Sequence, residues 1–281
     1  MARLQFALWA LKARFLKEHS RCPYCGSILH ARLQRKKLLI EARKCHYCGL
    51  IFRWPTDSFR KAEAYYEREY RSGHVTDLPE NDELAKLLAR GFENSRFDSA
   101  RYVKLVEQVC LGPRSLLDFG ASWGYVGAQF ARAGYKVEGF ELSRSRAEFG
   151  RKQLGLQFYS SWGELTGTGL PRFDVVFTAH TLEHVYDLKT TLRNISRAVL
   201  PGGRLIIIVP NGGSLQARQF GVAWGPYLGE THTIAFTSNW LQETLPVHGF
   251  EDLELFSPCP GGRDLSCDGE ELICIARRSP R

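Results

Sequence analysis

LLDFGASWG, residues 116–124, carries the strongest structural signal in this chain. An apolar run enters a turn that contains two glycines, Gly120 and Gly124, and a carboxylate follows at Glu141. In an α/β sheet, such a turn brings backbone N–H groups close to a ligand, and a carboxylate at the end of the next strand accepts hydrogen bonds from ribose hydroxyls. The stretch therefore predicts a binding site for an adenosine-containing cofactor.

The glycine spacing separates two classes of such cofactors. The dinucleotide fingerprint G-x-G-x-x-G cannot be read in this turn. The turn instead reads D-x-G-x-x-x-G from Asp118 to Gly124, which resembles motif I of class I S-adenosylmethionine (SAM) methyltransferases. SAM has no pyrophosphate and so does not need the glycine pattern that cradles phosphate groups.

Strand-like and helix-like segments alternate from residue 111 onward. Seven strands are predicted, at residues 115–119, 136–141, 156–160, 173–178, 204–209, 251–256 and 271–276. Helices are predicted between them, at residues 125–133, 143–154, 188–200 and 237–247. The alternation predicts an α/β fold, a Rossmann-like doubly wound sheet of seven strands whose ligands bind at the carboxyl ends of the strands.

Further motifs of the same family follow in order over about 170 residues. FDVVF at 173–177 with LEHV at 182–185 resembles motif IV, and LPGGRL at 200–205 resembles the segment before the fifth strand. Together they identify the chain as a SAM-dependent methyltransferase. It is similar to ubiquinone-biosynthesis-type O-methyltransferases and to ribbon-bearing methyltransferases of sugar and natural-product pathways.

The resemblance implies roles for individual residues of the cofactor site. The methionine moiety of SAM would lie against Gly120, Ala121, Ser122 and Gly124. Asp118 would orient the turn, Glu141 would bind the ribose, and Leu142 would flank the adenine. Ser122 stands where many relatives have glycine, and it fits there if its φ is negative.

Two C-x-x-C pairs near the N-terminus predict a metal site, formed by Cys22, Cys25, Cys45 and Cys48. A glycine follows each pair and lets the turn close beneath an ion. Four thiolates make a tetrahedral zinc site without an open position, so the zinc is expected to be structural. The remaining four cysteines show no pairing pattern. Metal-binding rather than disulfide-forming cysteines favour a reducing compartment, and we expect a cytoplasmic protein.

Charge is concentrated in this N-terminal part. Residues 1–60 contain 13 Lys or Arg and 3 Asp or Glu, while the whole chain carries a net charge of only +8. A basic ribbon suits RNA, a phosphorylated sugar or another anionic polymer, although a solvated face beside the metal thiolates explains it equally. No apolar run is long enough to span a membrane.

Three domains are predicted along the chain. Residues 1–60 form an N-terminal helix and the zinc ribbon, whose arm is a basic hairpin over 33–43. Residues 61–110 form a helical linker, which either packs on the main domain or caps the SAM site through Tyr65, Tyr66 and Tyr70, and which contains a helix over 81–110. Residues 111–281 form the methyltransferase domain.

Four polar residues are predicted at the acceptor end of the site: His180, Glu183, His184 and His232. His180 and His184 share a face if their segment is helical. The pattern H-x-x-E-H with a later His resembles the metal site of small-RNA 3′-end 2′-O-methyltransferases. By that resemblance Glu183, His184 and His232 would bind a second divalent metal, whose identity is open because His180 replaces a Glu. Alternatively, His180 or His232 is a metal-free general base.

The sequence therefore predicts a SAM-dependent methyltransferase that acts on a hydroxyl of a small molecule or glycan, with a sugar-linked acceptor favoured by the resemblance. The alternative is an RNA methyltransferase that uses the basic ribbon to bind RNA. Steep salt dependence distinguishes the second from the first.

Overall fold

The computed structural model describes residues 2–36, 39–57, 77–110, 114–166, 173–259 and 262–280. The chain forms two compact units. The first combines Met1–Ala62, Ala179–Ser196 and Ile207–Ala276, and the second combines Glu63–Thr178, Arg197–Ile206 and Arg277–Arg281. The three tyrosines of the predicted linker, Tyr65, Tyr66 and Tyr70, lie outside the described residues, and the three predicted domain boundaries stay predictions.

The elements alternate as the sequence analysis expects. The helices are α1 (Ala2–Ala13), α2 (Asn81–Arg90), α3 (Ala100–Val109), α4 (Tyr125–Arg132), α5 (Arg144–Leu154), α6 (Trp162–Thr166), α7 (Leu188–Ala198), α8 (Leu215–Phe220) and α9 (Ser238–Thr244). The strands are β1 (His30–Lys36), β2 (Ile40–Cys45), β3 (Ile51–Trp54), β4 (Ser115–Phe119), β5 (Lys136–Phe140), β6 (Gln157–Tyr159), β7 (Phe173–Ala179), β8 (Val199–Pro210), β9 (Ile234–Ala235), β10 (Phe250–Cys259), β11 (Gly262–Asp264) and β12 (Glu271–Arg278). Turns of 3-10 helix occur at Lys17–Ser20, Leu182–His184, Gly221–Ala223 and Leu245–His248. The seven predicted strands are β4, β5, β6, β7, β8, β10 and β12, which confirms the α/β class.

The second unit contains a parallel sheet. Its strand order is β6-β5-β4-β7-β8, and β4 pairs in parallel with both β5 and β7. Leu116 and Leu117 of β4 are fully buried, because helices cover both faces of such a sheet. The register places Phe119 opposite Phe140, so the carboxyl ends of β4 and β5 lie side by side.

β8 has residues in both units. In the first unit the strand order is β8-β12-β10-β11, and β11 pairs antiparallel with β10. β11 is an addition to the seven predicted strands. Strand β8 begins earlier than predicted: α7 ends at Ala198, and β8 already includes Pro201.

The ribbon of the first unit is a small antiparallel sheet with the order β1-β2-β3-β9. Its β1–β2 hairpin confirms the predicted arm. Glu41 of β2 is 1% exposed and pairs with the guanidinium groups of Arg14, Arg35 and Arg43, each within 2.9 Å. Burial opposes ionisation of Glu41, but Arg35 and Arg43 hold its pKa below the usual value. The carboxylate therefore ties α1 to the hairpin.

The helix predicted over 81–110 is divided into α2 and α3. Gly91 ends α2 with a φ of 62°, a left-handed conformation that glycine adopts without strain. The loop that follows buries Phe92 and Phe97 against Trp123. Among the described residues, no helix has both the length and the apolar character needed to cross a bilayer.

Candidate active site

The turn after β4 is tightly bent. Gly120, Ser122 and Gly124 have φ values of 86°, 51° and 93°. The negative φ at which a serine fits this position is not observed at Ser122. Its N–H donates to Glu141 at 3.0 Å, and its hydroxyl accepts from Arg146 at 2.9 Å, so two buried contacts hold the serine in the left-handed region.

Glu141 is the anchor of this turn. It follows β5 and is only 6% exposed. One carboxylate oxygen accepts from the N–H of Ser122, and the other accepts from the N–H of Ser143 at 2.8 Å. Burial raises the pKa of Glu141, while these N–H groups and Arg146 oppose the rise. The carboxylate is thus held rigidly at the end of β5, the position predicted for ribose binding, and Leu142 beside it is 41% exposed.

The N–H groups at the start of the turn face the protein. Gly120 and Ala121 both donate to the carbonyl oxygen of Phe140, at 2.8 Å and 3.1 Å. The turn is thereby fixed to the end of β5. All seven predicted cofactor residues, Asp118, Gly120, Ala121, Ser122, Gly124, Glu141 and Leu142, lie in the second unit, at the ends of β4 and β5 and in the segments that follow them.

Asp118 is a buried carboxylate with an incomplete set of partners. The residue is 3% exposed and accepts from the N–H of Gly127, but Oδ2 has no hydrogen-bond partner in the described part of the chain. Burial, with a smaller contribution from the charge of Glu141, raises the pKa of Asp118 to about 7. Such a group is half protonated near neutral pH.

Two further residues of the second unit complete this region. Trp162 stacks on Phe119 with ring centroids 5.5 Å apart, and its centroid lies 4.5 Å from that of Phe140. Arg146, which the sequence analysis missed, is 3% exposed and contacts the turn through Ser122. No local pattern marks Arg146, because only the fold brings the first turn of α5 to the glycine turn.

The predicted acceptor residues lie in the first unit. β7 ends at Ala179, and the next residues do not form an α-helix, so the condition for His180 and His184 to share a helical face is not met. His180 instead has a φ of 52°, and its N–H donates to Ile208 at 2.8 Å. A single 3-10 turn then follows over Leu182–His184. The structure nevertheless brings the four predicted groups together.

Glu183 lies at the centre of this group. It is 1% exposed, and neither carboxylate oxygen has a hydrogen-bond partner among the described residues. His180 Nδ1 lies 3.7 Å and His184 Nε2 lies 3.9 Å from Glu183 Oε1. Burial opposes ionisation of Glu183, but the surrounding imidazoles, including that of His232, hold its pKa below the usual value.

Backbone carbonyl groups fix the Nδ1 atoms of two of these imidazoles. His184 Nδ1 lies 3.0 Å from the carbonyl oxygen of Thr231, and His232 Nδ1 lies 2.8 Å from that of Pro226. Because a carbonyl oxygen only accepts, each Nδ1 must carry the proton, and each neutral ring keeps a bare Nε2. The two rings are perpendicular, with centroids 4.7 Å apart. One ligand atom each from Glu183, His184 and His232 lies within 4.8 Å of the others.

His180 has a different environment. Its Nε2 lies 2.9 Å from Glu271 Oε1, and 41% of its side chain is exposed. Burial of the ring opposes protonation, but Glu183 and Glu271 together raise the pKa of His180 to about 9. The ring is therefore an imidazolium at neutral pH. Glu271, the first residue of β12, was not predicted from sequence, because nothing in its surroundings indicates a contact with a residue 91 positions away.

The four predicted cysteines also converge. Their sulfur atoms all lie within 4.8 Å of one another, with Cys22 and Cys48 at 3.6 Å and Cys25 and Cys45 at 3.4 Å. Gly26 and Gly49, with φ values of 74° and 70°, close the two turns. The remaining cysteines, Cys110, Cys259, Cys267 and Cys274, are free thiols outside this cluster.

Comparison with known proteins shows which protein family the chain matches. Residues 63–255 match the model of the methyltransferase domain family. A ubiquinone biosynthesis O-methyltransferase of Alkalilimnicola ehrlichii is 32% identical over 111 residues, which are 36% of this chain and 45% of that protein. A malonyl-[acyl-carrier protein] O-methyltransferase of Serratia marcescens is 28% identical over 123 residues, 43% of this chain and 47% of that protein. The chain thus spans about half the length of the curated relatives it matches.

Solved structures show the same fold. The magnesium protoporphyrin IX methyltransferase of Synechocystis, solved with bound S-adenosylhomocysteine (SAH), has a TM-score of 0.54 and is 16% identical. The match covers 79% of this chain and 100% of that one.

Proposed function

We propose that this chain, a SAM-dependent methyltransferase that belongs to the methyltransferase domain family, transfers a methyl group to a hydroxyl of a small molecule or glycan. The observation that carries the proposal is the buried carboxylate of Glu141, held beside the left-handed turn by two backbone N–H groups. The curated relatives described above are O-methyltransferases by name, which favours an oxygen acceptor. A sugar-linked hydroxyl stays the favoured class.

The residues after β4 and β5 suit the cofactor. Glu141 keeps lone pairs for ribose hydroxyls, while its N–H partners fix the carboxylate in place. The exposed side chain of Leu142 offers an apolar surface for adenine. The unpartnered oxygen of Asp118 can accept a further hydrogen bond at the turn. SAM, when bound, supplies an electrophilic methyl group on a sulfonium centre.

The four cysteines fit a structural zinc ion. Four sulfur ligands fill a tetrahedral site, so this ion would stabilise the ribbon and take no part in methyl transfer. Four thiolates bind metal only where they stay reduced, and we therefore assign the protein to a reducing compartment, the cytoplasm.

The acceptor end suits a second metal at Glu183, His184 and His232. The carboxylate of Glu183 is buried without a hydrogen-bond partner among the described residues, and because the imidazolium of His180 lies 3.7 Å away, beyond hydrogen-bond distance, its oxygens stay available to a metal ion. Two imidazoles whose Nδ1 atoms are fixed by carbonyls present their Nε2 atoms as ligands, which is the usual arrangement behind metal-binding histidines. Two nitrogen donors and one carboxylate favour zinc, iron or manganese over magnesium. A divalent ion there would polarise the acceptor hydroxyl and lower its pKa.

The metal-free alternative assigns proton removal to a histidine. His180 is poorly suited to this role, because an imidazolium between Glu183 and Glu271 has no free nitrogen to accept a proton. His232 is then the candidate base. Elemental analysis separates the two mechanisms. The metal mechanism predicts two metal ions per chain for wild type and one for Glu183→Gln. The control is His46→Gln, which replaces an exposed histidine of the ribbon and should leave both ions in place.

A second measurement tests the acceptor class. Wild-type protein is incubated with SAM that carries a labelled methyl group and with phenols, sugar nucleotides or single-stranded RNA. We expect label on a hydroxyl of a small molecule or sugar, at a rate that changes little with salt. Label on RNA with a steep loss of rate as salt rises would instead support the RNA alternative, which the excess of arginine around Glu41 favours.

A further inference from the structure

Helix α1 is apolar on two sides, and within the described part of the chain only one of them is covered. Ala10 and Ala13 are 0% and 1% exposed and pack inward. Leu8, Leu11 and Phe15 are 53%, 46% and 88% exposed. Their spacings of three and four residues place them on one face, which extends past the end of α1 because the N–H of Phe15 donates to Lys12. We call Leu8, Leu11, Phe15 and the adjoining Leu16 the α1 face.

The charge beside the α1 face is strongly positive. Residues 1–16 contain three basic and no acidic side chains. Four arginines, Arg14, Arg32, Arg35 and Arg43, lie within 4 Å of the single carboxylate of Glu41, so this cluster keeps an excess charge of +3. Arg14 comes directly before Phe15 in the chain, which joins the cluster to the C-terminal end of the α1 face.

We propose that the α1 face is a docking surface for a bilayer with anionic head groups. Aliphatic and phenyl side chains without polar atoms suit the boundary of the acyl chains, and the more exposed guanidinium groups of the cluster, those of Arg32 and Arg35, suit lipid phosphates. A second copy of this chain is the less suitable occupant, since it would bring two positive clusters together. The proposal goes beyond methyl transfer and does not depend on it.

Vesicle sedimentation with the full chain tests this proposal. Vesicles of phosphatidylcholine alone are compared with vesicles that also contain phosphatidylglycerol. We expect binding to the anionic vesicles only, weakened as salt rises. The double variant Leu11→Glu/Phe15→Glu should bind at least about tenfold more weakly, and Arg32→Gln about fivefold more weakly, since each basic side chain near an anionic surface contributes roughly that factor.

A matched control carries the same charge change elsewhere. Val247 and Leu265 are 77% and 74% exposed, so Val247→Glu/Leu265→Glu should bind vesicles as the wild type does. An unchanged circular dichroism spectrum and melting temperature show that each variant is folded. The proposal would be overturned by no binding of wild type to anionic vesicles, by equal loss in both double variants, or by binding of RNA that depends on Arg32 but not on Leu11 and Phe15. A wild-type dimer that Leu11→Glu/Phe15→Glu dissociates, without vesicle binding, would also overturn it.

Discussion

Replacing Asp118 with asparagine should make the protein less sensitive to pH. Asp118 is 3% exposed, and its Oδ2 has no hydrogen-bond partner within the described ranges. Burial raises the pKa of this carboxyl from an ordinary value of 3.8 to about 7. Asparagine keeps the shape of the side chain and an acceptor oxygen for the N–H of Gly127, but it cannot ionise.

The sign follows from the direction of the pKa shift. A group whose pKa is higher in the folded than in the unfolded protein stabilises the fold below its unfolded pKa, and that contribution is lost as the pH rises through its folded pKa. Each pKa unit corresponds to 1.36 kcal/mol, so between pH 5 and pH 8 the wild type should lose about 3 kcal/mol of unfolding free energy relative to Asp118→Asn.

Urea unfolding, followed by tryptophan fluorescence, measures this difference for the SAM-free protein at both pH values. Asp82→Asn, at an exposed position in the first turn of α2, is the control and should follow the wild type. If the difference in unfolding free energy between wild type and Asp118→Asn is the same at pH 5 and pH 8, Asp118 does not carry a raised pKa and the reasoning fails.

Three further predictions test other parts of the structure, the last of them with a pair of variants. Glu141→Gln should weaken SAH binding about 100-fold in calorimetry, because an amide replaces a charged acceptor beside two N–H donors; an unchanged affinity would remove Glu141 from the site. Cys45→Ser should lower the zinc content by one ion per chain and lower the melting temperature, and a full zinc content would contradict the four-sulfur site. Gly150→Ala should cost about 3 kcal/mol of unfolding free energy, because its Cβ would lie 2.4 Å from a ring carbon of the phenylalanine on β6. Gly163→Ala, whose Cβ would meet nothing closer than 3.8 Å, should stabilise the protein by up to about 1 kcal/mol, and equal effects of the two alanines would refute the packing argument.

The sequence predicted the parts of the fold that depend on local patterns. Short apolar runs bounded by glycine and polar residues marked β4 and β7 to within one residue, since buried parallel strands consist of little else. The spacing of the two C-x-x-C pairs likewise predicted which sulfur atoms meet. Local patterns were less reliable where one glycine decides the outcome, as at Gly91, which ends α2 inside an otherwise helical pattern.

Contacts across the sequence explain most of what was missed. Arg146 and Glu271 belong to the two candidate sites only because the fold brings them to Ser122 and His180. The positive φ of Ser122 has the same origin, since partners distant in sequence hold it. The histidine segment looked helical by spacing, but β7 ends directly before it, and the backbone of His180 pairs with β8 instead of starting a helix.

Calorimetric titration with SAH tests the central claim most directly, that the turn after β4 binds the cofactor. We predict one site per chain for wild type, no detectable binding for Gly120→Asp, and wild-type binding for Gly134→Asp. The two glycines have similar φ values, 86° and 94°, but Gly134 is exposed and away from the turn, so the second variant controls for backbone strain. Failure of wild type to bind SAH, or equal affinities for wild type and Gly120→Asp, would contradict the account.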